Sequence, residues 1–386
     1  MSEMDNRVTL TVNNMEYGGW KSVEITADLE RQFRTFKLDI TWQWPGQTVD
    51  QRIKPGDPCE VKIGQDLVLT GYVFKAPISY DGRQISLSIE GSSKTQDLVD
   101  CAARNQPNQW QEQPLLSIVQ ALAMEYGLMV VNEIPETARL TKHTIVPGET
   151  VFQSIDRLLS LLRVFSTDDE QGRLVLAKPG SGGRASDALE LGKNILSANA
   201  PMDQSQVFSE YRVIGQQKGS DKKSGAAVSE VESSATDLSF KRRRTTIINE
   251  GTALTFELAQ QRAQWECATR MGRAQTTTYR VQGWRQANGD LWRHNTLVKV
   301  TDPVLGFDGD MLISKVTYSL SAQGSVTTLQ VAPPHTFDPD PTPRKKPEPD
   351  SEPCGSEPAR ESAGSFNITL PDPAHSRAGS LPQWIA

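Results

Sequence analysis

A pattern of three alternating segments occurs twice in this chain. The first copy covers residues 52–63, 67–73 and 81–89; the second covers 296–300, 311–316 and 323–331. In both, apolar and polar residues alternate and Gly or Asp-Gly punctuates the joins, which marks half-buried antiparallel strands linked by tight turns. Val61-Lys62-Ile63 matches Val298-Lys299-Val300, while Ile85, Leu87 and Ile89 match Thr327, Leu329 and Val331. Any two three-stranded meanders share some of this pattern; an internal duplication of a small β-barrel would produce all of it. Duplication has the larger consequence, because two similar barrels per chain, repeated around a three-fold axis, build a ring with pseudo-six-fold symmetry.

The 386 residues suffice for two or three domains with their own cores. Residues 8–25 read as two short strands around Asn13-Asn14 or Gly18-Gly19, and 33–42 alternates again, so 7–91 holds about six strands, enough for one barrel. Residues 100–178 change character. A helix carries Leu115, Ile118, Leu122 and Tyr126 on one face and ends at Gly127; a second follows Pro147-Gly148 with Val151, Ile155, Leu158 and Leu159. The expected fold class is β-rich α+β: a first barrel in 1–98, an inserted α/β domain in 99–178, a second barrel in 179–333, and an extended tail in 334–386. Within the second barrel, 216–238 reads as a mobile polar loop and 252–273 as a helix covering a barrel end. The tail follows from composition: twelve of the 23 prolines fall in the last 54 residues, and proline removes backbone donors.

Several segments together carry a resemblance. Gly18-Gly19-Trp20 before a strand, Leu29-Glu30, the strand from Phe33 to Ile40, Pro55-Gly56-Asp57, Gly71-Tyr72-Val73 and the run from Gly91 to Leu98 resemble, in order and spacing, the baseplate hub proteins of Mu-like contractile-tailed phages, of the late-control or VgrG-like hub type. The similarity extends over roughly residues 7–333. It implies a homotrimeric hub in the virion, assembled in the host cytoplasm, that joins the tail tube to a central spike and anchors other baseplate proteins. DNA would pass through its lumen without specific binding, which suits a formal charge of −6.

Other motifs point to other chemistry. Gly91-Ser92-Ser93-Lys94-Thr95 lacks the glycines of a phosphate loop and reads as a capped strand-to-helix turn. Pro147-Gly148-Glu149-Thr150 resembles the opening of a LysM module, which makes peptidoglycan binding the alternative function. Asp168-Asp169-Glu170 forms a turn-like polar run without the separation set by a glycosidase pair. The four cysteines and four histidines are dispersed, so no catalytic, cofactor or metal site is expected. No run of eighteen apolar residues and no apolar leader occurs, and neither membrane insertion nor export through a cleaved signal is expected. Two partner contacts remain as candidates. Arg242, Arg243 and Arg244 form a basic cluster at a strand start, either a phosphate or acidic-partner contact or a solvated strand end. Phe366, Ile368 and Leu370 alternate like an added strand and Trp384 with Ile385 could fill a pocket, so the tail end is a docking candidate.

Overall fold

The computed structural model describes residues 6–43, 53–81, 84–134, 139–160, 162–216 and 230–342. The chain divides into units 1–347 and 348–386, the second of which lies outside the described residues.

The first part contributes β1 (Val8–Val12), β2 (Met15–Tyr17), β3 (Ser22–Asp28), β4 (Thr35–Gln43), β5 (Pro58–Ile63), β6 (Asp66–Lys75), β7 (Ile78–Tyr80) and β8 (Gln84–Ser93). Asn13 and Asn14, both at positive φ, close the β1–β2 hairpin, where asparagine tolerates a conformation that favours few residues. β6 and β8 cross closely at their glycines: an added Cβ at Gly71 would stand 1.8 Å from the Ser92 carbonyl oxygen, and one at Gly91 2.3 Å from that of Tyr72.

The middle part contributes α1 (Gln96–Asp100), β9 (Gln109–Pro114), α2 (Leu115–Met124), β10 (Val130–Asn132), β11 (Arg139–Thr144), α3 (Val151–Ser160), β12 (Phe165–Asp168) and β13 (Leu174–Ala177). β11 pairs with β9, and β13 lies between β10 and β12. Their apolar faces form a separate core around Leu98, Ile118, Leu122, Ile155, Leu159 and Leu176. α3 starts with a reciprocal capping box: the Gln153 N–H donates to Thr150 Oγ1 at 3.2 Å and the Thr150 N–H to Gln153 Oε1 at 2.9 Å.

The last part contributes β14 (Leu189–Glu190), β15 (Ile195–Asn199), β16 (Glu210–Gln216), β17 (Glu230–Thr236), β18 (Thr245–Ala253), α4 (Phe256–Ala274), β19 (Thr277–Gln282), β20 (Thr296–Asp302), β21 (Phe307–Ser321) and β22 (Gly324–Ala332).

One fourteen-stranded sheet runs through both ends of the chain, and its strand order repeats. β3-β4-β8-β6-β5-β1 in the first part has the same order as β15-β19-β22-β21-β20-β14 in the last, with equivalent strands in the same chain sequence. The two differ at one joint, where β1 pairs antiparallel with β5 but β14 pairs parallel with β20. Val61, Ile63, Leu87 and Ile89 are buried, as are Val298, Val300, Thr327, Leu329 and Val331. The repeats share one core, with Leu10, Leu38, Val61 and Ile89 from one and Tyr279, Trp284, Val300 and Leu329 from the other.

Three expectations change. The described strands trace no pair of separate closed barrels: β3 pairs with β21 and fuses the repeats, because each covers an edge that the other would leave unpaired. The expected second barrel, 179–333, is not one sheet, and 230–236 are not loop. β16 pairs with β17 and, in parallel, with β18 in a separate three-stranded sheet, and α4 covers this sheet instead of a barrel end through Ala259 and Ala263, which cluster with Val213, Val231 and Leu254, just ahead of the helix. Residues 217–229 of the expected loop lie outside the described residues. The tail does not leave at 334. Pro334–Phe337 forms a 3-10 turn, Gly272 makes room for Thr336, the Trp265 Nε1–H donates to the Asp338 carbonyl at 2.6 Å, and Arg262 stands 3.5 Å from Asp340.

Candidate functional site

Two features emerge where the parts of the chain meet: the strand seam between the repeats and a buried polar node beside it. The seam uses the length of β21. Its Phe307–Ile313 portion pairs with β20, and from Lys315 to Leu320 the same edge pairs with β3. Thr26 and Thr317 share a hydroxyl hydrogen bond at 3.1 Å, and Lys315 approaches Asp28 at 3.5 Å.

The node is centred on Arg34, which immediately precedes β4. Its guanidinium Nε donates to Asp168 Oδ1 at 3.2 Å, its Nη1 to the Val68 carbonyl at 3.1 Å and its Nη2 to the Asp168 carbonyl at 3.2 Å. Nη1 also lies 3.2 Å from Glu170 Oε1. The Arg34 backbone N–H and the Ser93 hydroxyl donate to Asp168 Oδ2 at 3.0 and 2.5 Å. The last part of the chain joins through His294, whose Nε2 shares a hydrogen with Thr167 Oγ1 at 3.1 Å, and Tyr318 lines the same small cavity as Arg34, Glu170 and His294.

Burial works against the Arg34 charge, but Asp168 and Glu170 outweigh it and hold the guanidinium's pKa above its ordinary range. Burial likewise raises the Asp168 pKa, against the pull of Arg34 and Ser93. Burial also opposes the Glu170 charge, yet Arg34, its own backbone N–H and Arg293 hold that carboxyl at about 2. Burial, reinforced by the Arg34 and Arg293 charges, pushes His294 down to about 3. The result is a charged pair and a neutral imidazole locked among three chain segments. Such a node sets how the segments fit, since a buried ion pair contributes geometry more surely than net stability.

The remaining sequence motifs find internal partners. Asp168 and Glu170 face Arg34, while Asp169 pairs with Arg173 at 2.5 Å. Ser93 and Thr95 bond each other at 2.9 Å, so these hydroxyls of the Gly-Ser-Ser-Lys-Thr run turn inward. Glu149 meets Arg157 at 2.7 Å and accepts the Val146 N–H, while Thr150 caps α3. Of the basic cluster, Arg242 and Arg243 are exposed. Arg244 donates to the carbonyls of Gln204, Ser205 and Val207 and lies 4.5 Å from the Phe208 ring centroid. Phe366, Ile368, Leu370, Trp384 and Ile385 lie outside the described residues. Among the described residues, no group of His, Cys, Asp and Glu could hold a metal ion, and no helix is long and apolar enough to cross a membrane. Sequence reasoning missed Arg34 and His294, because single polar residues beside strands carry no periodic signal.

Comparison with known proteins gives three family matches in chain order: the N-terminal domain of Mu phage baseplate assembly protein GpP-like proteins at 7–93, the second domain of gp44-like baseplate hub proteins at 95–178, and the fourth domain of Mu phage baseplate assembly protein GpP at 255–340. The baseplate hub protein gp44 of Escherichia phage Mu is 31% identical over 344 residues, covering 86% of this chain and 89% of that protein. The 43 kDa tail protein of prophage MuSo2 from Shewanella oneidensis is 30% identical with a TM-score of 0.77, covering 86% of this chain and 99% of that one. A tail protein from Neisseria meningitidis MC58, 22% identical, shares the fold with a TM-score of 0.73 over 86% of this chain and 98% of its own. With its β-rich fold and this similarity along most of its length, the chain belongs to the Mu gp44-like family of phage baseplate hub proteins, structural components of the virion tail.

Proposed function

We propose that three copies of this chain form a ring with pseudo-six-fold symmetry at the tip of a contractile tail, each copy supplying two related barrel-like modules. The observation that carries this reading is the six-strand repeat, which gives one chain two equivalent units in tandem. The middle part, with its own core, is an inserted domain between those units. The ring joins the tail tube to the spike and anchors neighbouring baseplate proteins, and its role is structural and not enzymatic. The chain assembles in the host cytoplasm before it enters the virion. The net negative charge supports passage of DNA without retention in the lumen. Arg242 and Arg243 are retained as exposed contacts for an acidic partner, and the tail residues Phe366, Ile368, Leu370, Trp384 and Ile385 as a docking segment. Native mass spectrometry of the full chain tests the reading: a mass of three copies is expected, and monomer at every concentration and salt overturns it.

A further inference from the structure

The repeat contains the template for a joint that one chain cannot complete. Inside the chain, β3 of the first repeat pairs with the Lys315–Leu320 edge of β21 in the second. The equivalents are β15, which corresponds to β3, and the β6–β7 run, which corresponds to β21. Residues 66–80 and 307–321 have the same length, and each run has its hairpin partner, β5 or β20, on one edge and β8 or β22 on the other. The correspondence ends at the seam. Where β21 goes on to pair with β3, the same edge of β6–β7 is met at Val73 by the Gly56 N–H and the Asp57 carbonyl and beyond Val73 has no strand partner among the described residues, and β15 pairs with β19 alone.

Both open edges have the chemistry of a joint. Phe74, Ile78 and Tyr80 are exposed along one, Tyr80 at 80%, and Leu191, Leu196 and Met202 are exposed on or beside the other. Such apolar edge strands are a pairing hazard unless another strand covers them. Pro77 does not block the first edge: its carbonyl accepts the Ser88 N–H on β8, so strand alternation turns the backbone groups of Ile78 and Tyr80 outward. Beside the end of β15 a groove of about 480 Å³, lined in part by Met202, Phe307 and Met311, leaves apolar room for a partner's side chain.

We infer that β15 of one copy pairs with the β6–β7 edge of the next copy, reproducing between chains the β3–β21 seam within each. The contact is head-to-tail, with different edges on the two copies, so it closes a ring instead of a two-fold dimer. This inference rests on the ring reading and adds the surfaces that make the ring.

Cysteine pairing tests it in the full chain. Two differently tagged versions, one with a single cysteine introduced across 195–199 (Leu196→Cys first) and one across 78–80 (Ile78→Cys first), are mixed, co-assembled and oxidised. A disulfide needs Cα atoms within roughly 7 Å, so cross-linking measures proximity directly. The expected result is a tagged heterodimer from the mixture that neither variant forms alone, and a covalent species ending at three copies when both cysteines are in one chain. Leu196→Lys and Ile78→Lys, both at exposed positions, should each lower the trimer fraction at least tenfold while leaving the monomer folded. A three-copy mass with no cross-link at any of these pairs overturns the edge assignment and leaves the ring standing. Monomer throughout overturns both.

Discussion

Arg34 holds Asp168, 134 positions away, from two directions at once: its guanidinium Nε donates to one carboxylate oxygen and its own backbone N–H to the other. The first strand repeat and the middle part are thereby joined through one buried ion pair, with Glu170 and Ser93 completing its shell.

Breaking that pair should cost more than replacing it. Asp168→Leu leaves the buried guanidinium with Glu170 as its one carboxylate and is expected to lower stability by about 3 kcal/mol. Arg34→Leu combined with Asp168→Leu is expected to cost less than either single change. Urea denaturation of the three variants gives the comparison, and additive losses would show that the node is not a coupled unit.

Stability should fall with acid, and His294 supplies part of the slope. The folded chain holds this imidazole neutral down to about 3, whereas its ordinary value is 6.5. The unfolded chain therefore binds the proton first, and stability is lost as pH drops from 6.5 towards 3, by up to about 1.4 kcal/mol per pH unit from this group. Glu170, held at about 2 against an ordinary 4.5, adds loss below 4.5. Urea midpoints at pH 7, 6, 5 and 4 should show a shallower decline for His294→Gln, and parallel curves would remove His294 as the cause.

Gly71→Ala should destabilise by about 3 kcal/mol or prevent folding, because the new Cβ meets the Ser92 backbone and no flexible side chain stands there to yield. Gly289→Ala serves as the contrast. Its surroundings are open, so the cost there comes from the positive φ alone, about 1 kcal/mol. Thermal unfolding of both variants separates steric closeness from backbone conformation.

Trp265→Ala should release the segment after Pro333 without unfolding the sheet. It removes the donor to the Asp338 carbonyl and the ring over which the Arg262 guanidinium lies at 4.5 Å. Hydrogen exchange is expected to rise at 334–342 and at the exposed face of α4, while β19 to β22 keep their protection. Unchanged exchange at 334–342 would mean that the Arg262–Asp340 pair and Thr336 suffice to hold it.

Removal of residues 360–386 should leave folding and the three-copy mass intact and abolish capture by spike or neighbouring baseplate proteins. Unchanged particle assembly with the truncated chain would reduce the segment to a spacer.

The sequence by itself determined the local elements whose apolar residues recur at the period of a strand or helix. Val61-Lys62-Ile63 and Val298-Lys299-Val300 announced equivalent strands, and Leu115, Ile118 and Leu122 announced a helix face that is buried. Residues 8–25 offered two turns, Asn13-Asn14 and Gly18-Gly19, and the structure closes the β1–β2 hairpin at the first. Which strands share a sheet was decided only by the tertiary structure, because backbone hydrogen bonds carry no residue code. Nothing in the alternation of residues 22–28 states that their free edge meets Lys315–Leu320, and nothing in 206–214 distinguishes a barrel strand from β16 under α4. The polar node was equally hidden. Arg34, Asp168 and His294 are ordinary surface residue types in the sequence, and only the convergence of three distant segments removes them from water and makes their partners obligatory.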